Sequence, residues 1–170
     1  TIEKKLVSEY NNTVKYLFSL HDGEYVETVV MKYKYGHSIC VSSQVGCRMN
    51  CAFCASALNG WSRDLSAGEI LSQVYTVQKD LGIKATHVVM MGTGEPLDNY
   101  ENAMRFISLI TSPEGQNMSA RHISVSTCGI VPKIYELAET KPQFTLSVSL
   151  HAPDDRTRRR LMPIDKKYSF

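Results

Sequence analysis

The sequence predicts an α/β fold in which parallel strands alternate with helices, preceded by a small antiparallel β unit. Three observations predict it. Residues 14–33 hold two alternating apolar segments around a turn, and residues 66–150 switch repeatedly between helical and strand periodicity. The four segments read as parallel strands each stop just before residues of unusual chemistry. Strands and helices in this order join through right-handed crossovers, and ligands of such sheets sit beyond the carboxyl ends of the strands.

Residues 14–20 (VKYLFSL) and 25–33 (YVETVVMKY) read as strands, and Asp22 and Gly23 between them mark a tight turn. Tyr35 and Gly36 turn the chain again into HSICVSSQ (37–44), a third strand that ends before a group of cysteines. From Ser66, SAGEILSQVYTVQKDL opens with a capping box of Ser66 and Glu69 and carries Ile70, Val74 and Val77 at helical spacing. THVVMMG (86–92) is a continuous apolar run, as a parallel strand buried on both faces requires. NYENAMRFISLIT is helical, HISVSTC a strand, VPKIYELAE a short helix with Pro132 in its first turn, and FTLSVSL a strand. The parallel strands therefore end near Ser43, Met91, Thr127 and Leu150, and beyond them lie the cysteine loop, GTGEP (92–96), Cys128 with Gly129, and His151. The expected division is an antiparallel extension over 1–36 and a parallel α/β region over 37–170.

A chain of 170 residues, 43% hydrophobic and 21% charged, suits one globular core. Its net charge of +2 does not by itself call for nucleic acid or membrane, although Arg156, Arg158, Arg159, Arg160, Lys166 and Lys167 gather charge near the end. No apolar run approaches the roughly 20 residues that span a bilayer, and the first residues lack a signal-peptide core, so a cytoplasmic location without membrane contact is expected. In that compartment Cys40, Cys47, Cys51, Cys54 and Cys128 are expected to be reduced, metal-bound or catalytic. The chain opens without methionine and stops soon after Pro163, as a fragment of a longer protein would.

CRMNCAFC (47–54) places three thiols in eight positions. Three thiolates can hold three irons of a four-iron cluster and leave the fourth iron open to a chelating molecule. The alternative is zinc, closed by Cys40 or Cys128, although the spacing is unlike the paired halves of a zinc ribbon. In GTGEP the glycines let backbone approach a ligand, and Glu95 can accept from an ammonium group. The same residues also read as a plain βα turn with Pro96 opening a helix.

The cysteine spacing, with Phe53 at the aromatic position, resembles that of the radical S-adenosylmethionine (SAM) enzymes, and GTGEP resembles their amino-group-binding motif. VETVVMKYKYGHSICVSSQVGC, VVMMGTGEPLDNYENA, ISVSTCGIVP and SLHAPDDRTRRRLMPIDKKY narrow the resemblance to the RlmN/Cfr family of RNA adenine methyltransferases, from about Glu24 to the end. The VGC and GEP forms favour the RlmN branch, which methylates carbon 2, over the Cfr branch, which methylates carbon 8.

The resemblance implies the N-terminal part of a radical-SAM (β/α) barrel over 37–170, with a 4Fe–4S cluster and SAM as cofactors. It implies Cys47, Cys51 and Cys54 as cluster ligands, and Gly94, Glu95, Ser126, Ser149, Leu150 and His151 as SAM contacts. Glu27 matches the proton acceptor and Cys40 the thiol that resolves a covalent enzyme–RNA intermediate through a disulfide. The implied partners are 23S rRNA, tRNA and an electron donor such as flavodoxin, with no obligate protein partner. The family's N-terminal accessory domain and its C-terminal methyl-carrying cysteine lie outside this sequence, so the chain alone is expected to be inactive. A zinc-bound RNA-binding module, or a radical reaction on a small molecule, stand as alternatives.

Other residues have plainer readings. Cys128 is expected to be a small buried residue, Met90 and Met91 strand core, and His87 and His122 partly exposed. Trp61 with Arg63 either packs on the surface or stacks on RNA, and the terminal arginines are expected to form a solvated helix face, with phosphate contact as the alternative. A glutamate such as Glu27 on an antiparallel strand normally faces solvent. Cys40, seven residues before the cysteine loop, is expected close to it.

Overall fold

Alternation dictates the first layer. In the computed structural model, which describes residues 1–169, β1 (Ile2–Val7), β2 (Thr13–Ser19), β3 (Tyr25–Tyr33) and β4 (Gly36–Cys40) form an antiparallel meander. Val14, Tyr16 and Phe18 of β2 and Val26, Thr28 and Val30 of β3 are buried, while the residues between them are more exposed, so one face of this unit is covered. The first strand, IEKKLV, has no such alternation to announce it and forms by pairing with β2.

After β4 come a two-stranded ribbon, β5 (Gln44–Gly46) with β6 (Trp61–Asp64), and then α1 (Ala67–Leu81), β7 (Ala85–Met90), α2 (Tyr100–Thr111), β8 (Ile123–Thr127), α3 (Val131–Glu139), β9 (Thr145–Val148) and α4 (Asp155–Leu161). The main sheet has seven strands in the order β1-β2-β3-β4-β7-β8-β9, parallel from β4 onward. The α/β class with an antiparallel start is therefore as the sequence predicts, and the sheet runs unbroken from one part to the other.

The capping box forms as expected. Ser66 Oγ accepts from the Glu69 N–H, the Glu69 carboxylate accepts from the Ser66 N–H, and Gly82 closes α1 in the left-handed conformation. Ile70, Val74 and Val77 of α1 and Ala103, Phe106 and Ile110 of α2 form one core with Ile39, Val88, Met90, Ile123 and Val125 of the sheet.

The opposite face is different. In register across it lie Val29, Cys40, Val89 and Ser124, all only half-buried. The apolar run of β7 is thus fully buried on one face only: Met90 is core, whereas Met91, expected as core, is half-exposed. Among the described residues no helix is long and apolar enough to cross a membrane.

Candidate functional site

The ribbon β5–β6 carries the cysteines in the loop between its strands. Its neck requires two glycines. Gly46 and Gly60 both have φ of +71°, and a Cβ on Gly46 would stand 1.9 Å from the Gly60 carbonyl oxygen. The Cys47 N–H then donates to that oxygen at 3.0 Å, and the Ala52 N–H donates to the Leu161 carbonyl at 2.8 Å, which ties the loop to α4.

The GTGEP loop lies against the residues leading into the ribbon. The Ser43 N–H donates to the Thr93 carbonyl at 2.8 Å, and a Cβ on Gly94 would meet Gln44 Cβ at 2.6 Å. Glu95, 4% exposed, is held by two backbone donors, Leu97 N–H at 3.0 Å and Cys128 N–H at 2.7 Å. Burial pushes its carboxyl up, and those donors oppose the shift.

One cavity of about 260 Å³ gathers most of the expected residues. Cys47, Cys51 and Cys54 line it with Gly94, Glu95, Ser126, Ser149 and His151, and so does Cys128, whose thiol burial and Glu95 push well up. Burial raises the Cys47 thiol to about 11 and also raises that of Cys51. His151, at φ +56°, lies against Phe53 with ring centroids 4.6 Å apart. Leu150 is half-exposed and is not among the lining residues.

Glu27 and Cys40 lie elsewhere. Glu27 is exposed, as a glutamate on such a strand should be, and pairs with Lys15 at 2.6 Å. It lines a second, polar cavity of about 430 Å³ with Tyr25, Gly46, Ala55 and Thr93. The two cavities share backbone walls: Gly46 faces one and Cys47 the other, as do Ala55 and Cys54, and Thr93 and its flanking glycines. Cys40 pairs with Val29, two residues beyond Glu27, so both belong to the half-open sheet face. Its thiol is raised by burial, an effect that the Met91 backbone N–H opposes, and Cys40 lines neither cavity, although Met91 lines the one that holds the three cysteines.

These positions can be set beside known proteins. The family model of the radical SAM superfamily matches residues 41–170. The chain belongs to the radical SAM superfamily. It is 53% identical over 170 residues to a probable dual-specificity RNA methyltransferase RlmN of Clostridium acetobutylicum, covering all of this chain and 49% of that protein. It is 57% identical over 163 residues to the protein of the same description from Lachnospira eligens, covering 96% and 47%. A solved radical SAM methyltransferase from Sphaerobacter thermophilus superposes with a TM-score of 0.95 at 42% identity, over all of this chain and 51% of that one. The chain spans about half the length of the curated relatives it matches.

As a radical SAM protein the chain takes a 4Fe–4S cluster and SAM as cofactors. The donor set fits them. Among the described residues no three His, Cys, Asp or Glu side chains converge as on a single ion, whereas three thiols of one loop do line a common cavity. A cluster presents a separate iron to each sulfur, while a zinc tetrahedron needs its ligands around one point. Of the fourth zinc ligands considered from sequence, Cys40 is outside the cavity, while Cys128 lines it.

Arg158 corrects the expectation of a solvated helix face. It is 5% exposed, pairs with the fully buried Asp165 at 3.0 Å, and donates to the carbonyls of Cys128 at 2.7 Å and Ser149 at 3.4 Å. It thereby joins the ends of β8 and β9 to α4, and only its neighbours Arg156, Arg159 and Arg160 face solvent. The three-residue spacing of Asp155, Arg158 and Leu161 along α4, none of them fully exposed, was the available sequence signal. Gln44, also missed, is a buried amide whose partners come from distant segments, and nothing local in the sequence marks it.

Proposed function

We propose that the chain is the cluster- and SAM-binding part of an RNA adenine methyltransferase of the RlmN type, acting on carbon 2 of an adenosine in 23S rRNA and in tRNA. One observation carries this reading: three thiols and a buried carboxylate share one cavity, and a second cavity containing Glu27 adjoins it through common backbone walls.

In this reading Cys47, Cys51 and Cys54 hold the cluster. Held there, such a cluster would supply the electron for reductive cleavage of SAM, chemistry that belongs to the cofactor. Glu95 binds the amino group of SAM, and the Leu97 and Cys128 N–H groups fix its carboxylate for that task. Gly94 lets the backbone approach, and Ser126, Ser149, Leu150 and His151 complete the seat at the ends of β8 and β9. Glu27 takes the proton from carbon 2 of the adenine, and its exposure leaves it accessible to a flipped or single-stranded nucleotide. Cys40 resolves the thioether link by pairing with a cysteine outside this chain. A cytoplasmic site of action and an electron donor of the flavodoxin kind accord with this chemistry.

Anaerobic reconstitution with iron and sulfide tests the site. The chain should take up about four irons per molecule and turn brown, as expected for such clusters, and Cys51→Ala should do neither. A brown, iron-loaded Cys51→Ala protein overturns the ligand assignment. Mass spectrometry of rRNA treated with the whole parent enzyme separates 2-methyladenosine from 8-methyladenosine.

A further inference from the structure

Behind the cavity five side chains close a ring. Gln44, fully buried, accepts the Glu95 N–H through Oε1 at 2.9 Å. Its amide nitrogen donates to Asp64 Oδ1 at 2.8 Å and to Asp98 Oδ2 at 2.9 Å. Arg48 Nε donates to the same Asp98 oxygen at 2.9 Å, and its guanidinium lies 3.7 Å from the centre of the Trp61 ring. Trp61 Nε1–H closes the ring on Asp64 Oδ1 at 3.3 Å. None of the five lines the cysteine cavity.

The ring joins two loops that carry different halves of the site. Arg48 directly follows Cys47, and Asp98 lies three residues after Glu95, whose carbonyl accepts the Asp98 N–H at 3.0 Å. Gln44 acts as the pivot because its amide has one correct orientation. Two carboxylates face its NH2 group, so the carbonyl oxygen must face the Glu95 N–H; a flipped amide would set oxygen against two anions and NH2 against a donor. Arg48 supplies the charge that keeps Asp98 beside this amide.

We propose that Arg48, paired with Asp98, is a positioning residue that couples the cysteine loop to the Glu95 loop, so that SAM affinity depends on a contact remote from SAM itself. This rests on the assignment of SAM to Glu95. Coupling of this kind is reciprocal: what the cysteine loop does for SAM binding, SAM binding does for the loop. The pair is partly exposed, with side-chain exposures of 46% for Arg48 and 21% for Asp98, so its influence is modest. An exposed ion pair and cation–π contact together correspond to about a five-fold change in affinity.

The test uses the reconstituted full chain and titrates SAM by calorimetry and by its effect on the electron paramagnetic resonance spectrum of the reduced cluster. Arg48→Met should keep the wild-type iron content and absorption, bind SAM about five-fold more weakly, and give the wild-type spectrum once saturated. Asp98→Asn should do the same, and the double variant should be no weaker than either single one, since both break one pair. Arg48→Lys, which keeps the charge, should recover part of the loss. Unchanged affinity in Arg48→Met, loss of its iron, or additive losses in the double variant would overturn the coupling. A wild-type chain that holds its cluster but binds no SAM would overturn the Glu95 assignment and the coupling with it.

Discussion

Glu95 shows how a single carboxylate can be both scaffold and ligand. Its oxygens satisfy two buried N–H groups, on Leu97 and Cys128, and it also lines the cavity. Glu95→Ala would orphan both donors, at about 1–3 kcal/mol each, and confuse binding with folding. Glu95→Gln keeps the volume and one acceptor, so one of the two donors stays satisfied while the other faces the new NH2 group. It should weaken SAM binding by about 1.5–3 kcal/mol, the usual worth of a charge-assisted hydrogen bond, with cluster absorbance intact; calorimetry against the reconstituted chain checks this. Cys128 is the complementary case, a further thiol in the cavity that burial and Glu95 push up. Cys128→Ser should retain full iron content by chemical assay, and loss of a quarter or more of the iron would make Cys128 a ligand.

At the scale of elements, two ion-pair groups hold the pieces around the site. Arg63 on β6 reaches both Asp22 in the β2–β3 turn and Glu69 in the first turn of α1, joining hairpin, ribbon and helix. The hydrogen bond from Arg63 is the main cause that lowers the Asp22 carboxyl to about 2, and it also lowers that of Glu69. Folded values below the unfolded ones mean stability that is present above the unfolded carboxylate range, near pH 4, and lost as pH falls through the folded values. The melting temperature of the wild type should therefore exceed that of Arg63→Met at pH 6 and converge on it toward pH 2, as followed by circular dichroism. Arg158 is buried, so its removal is costlier. Arg158→Met leaves Asp165, which is fully buried, with Arg159 at 3.3 Å as its remaining ion-pair partner among the described residues, and should lower unfolding stability by about 3 kcal/mol in urea titrations. Adding Asp165→Asn should recover part of that loss, because the cost is mainly an uncompensated buried charge.

For the whole molecule, the sheet has two edges, β1 and β9, and a half-open face that carries Cys40 and Glu27. Near the β9 edge Val148 and Leu150 are about half-exposed. An edge with exposed apolar side chains invites pairing with another chain. Light scattering on the isolated 170-residue chain should show self-association. If the methyl-carrying cysteine lies in the other half of the parent protein, the isolated chain should yield no methyladenosine in rRNA by mass spectrometry, even with cluster, SAM and reductant. A methylated product would move the catalytic machinery into these residues.

Much of this was legible in the chain because periodicity and turn chemistry are local. The alternation in β2 and β3, the Ser66–Glu69 box and the βα order after it depend on residues a few positions apart, and they appear in the structure where the sequence puts them. The strand-end rule also brought the cysteine loop, GTGEP, Cys128 and His151 to one end of the sheet, and residues of each line one cavity. Four features needed the tertiary structure. β1 forms only because β2 offers a partner. Met91 is exposed because the helices cover one face of the sheet. Arg158 is buried because Asp165 and two carbonyls meet it there. Gln44 matters because Glu95, Asp64 and Asp98 converge on its amide from segments up to 54 residues away. Each of these is decided by what a side chain or strand touches across the fold, and a chain read in order contains residue types and spacings but not those contacts.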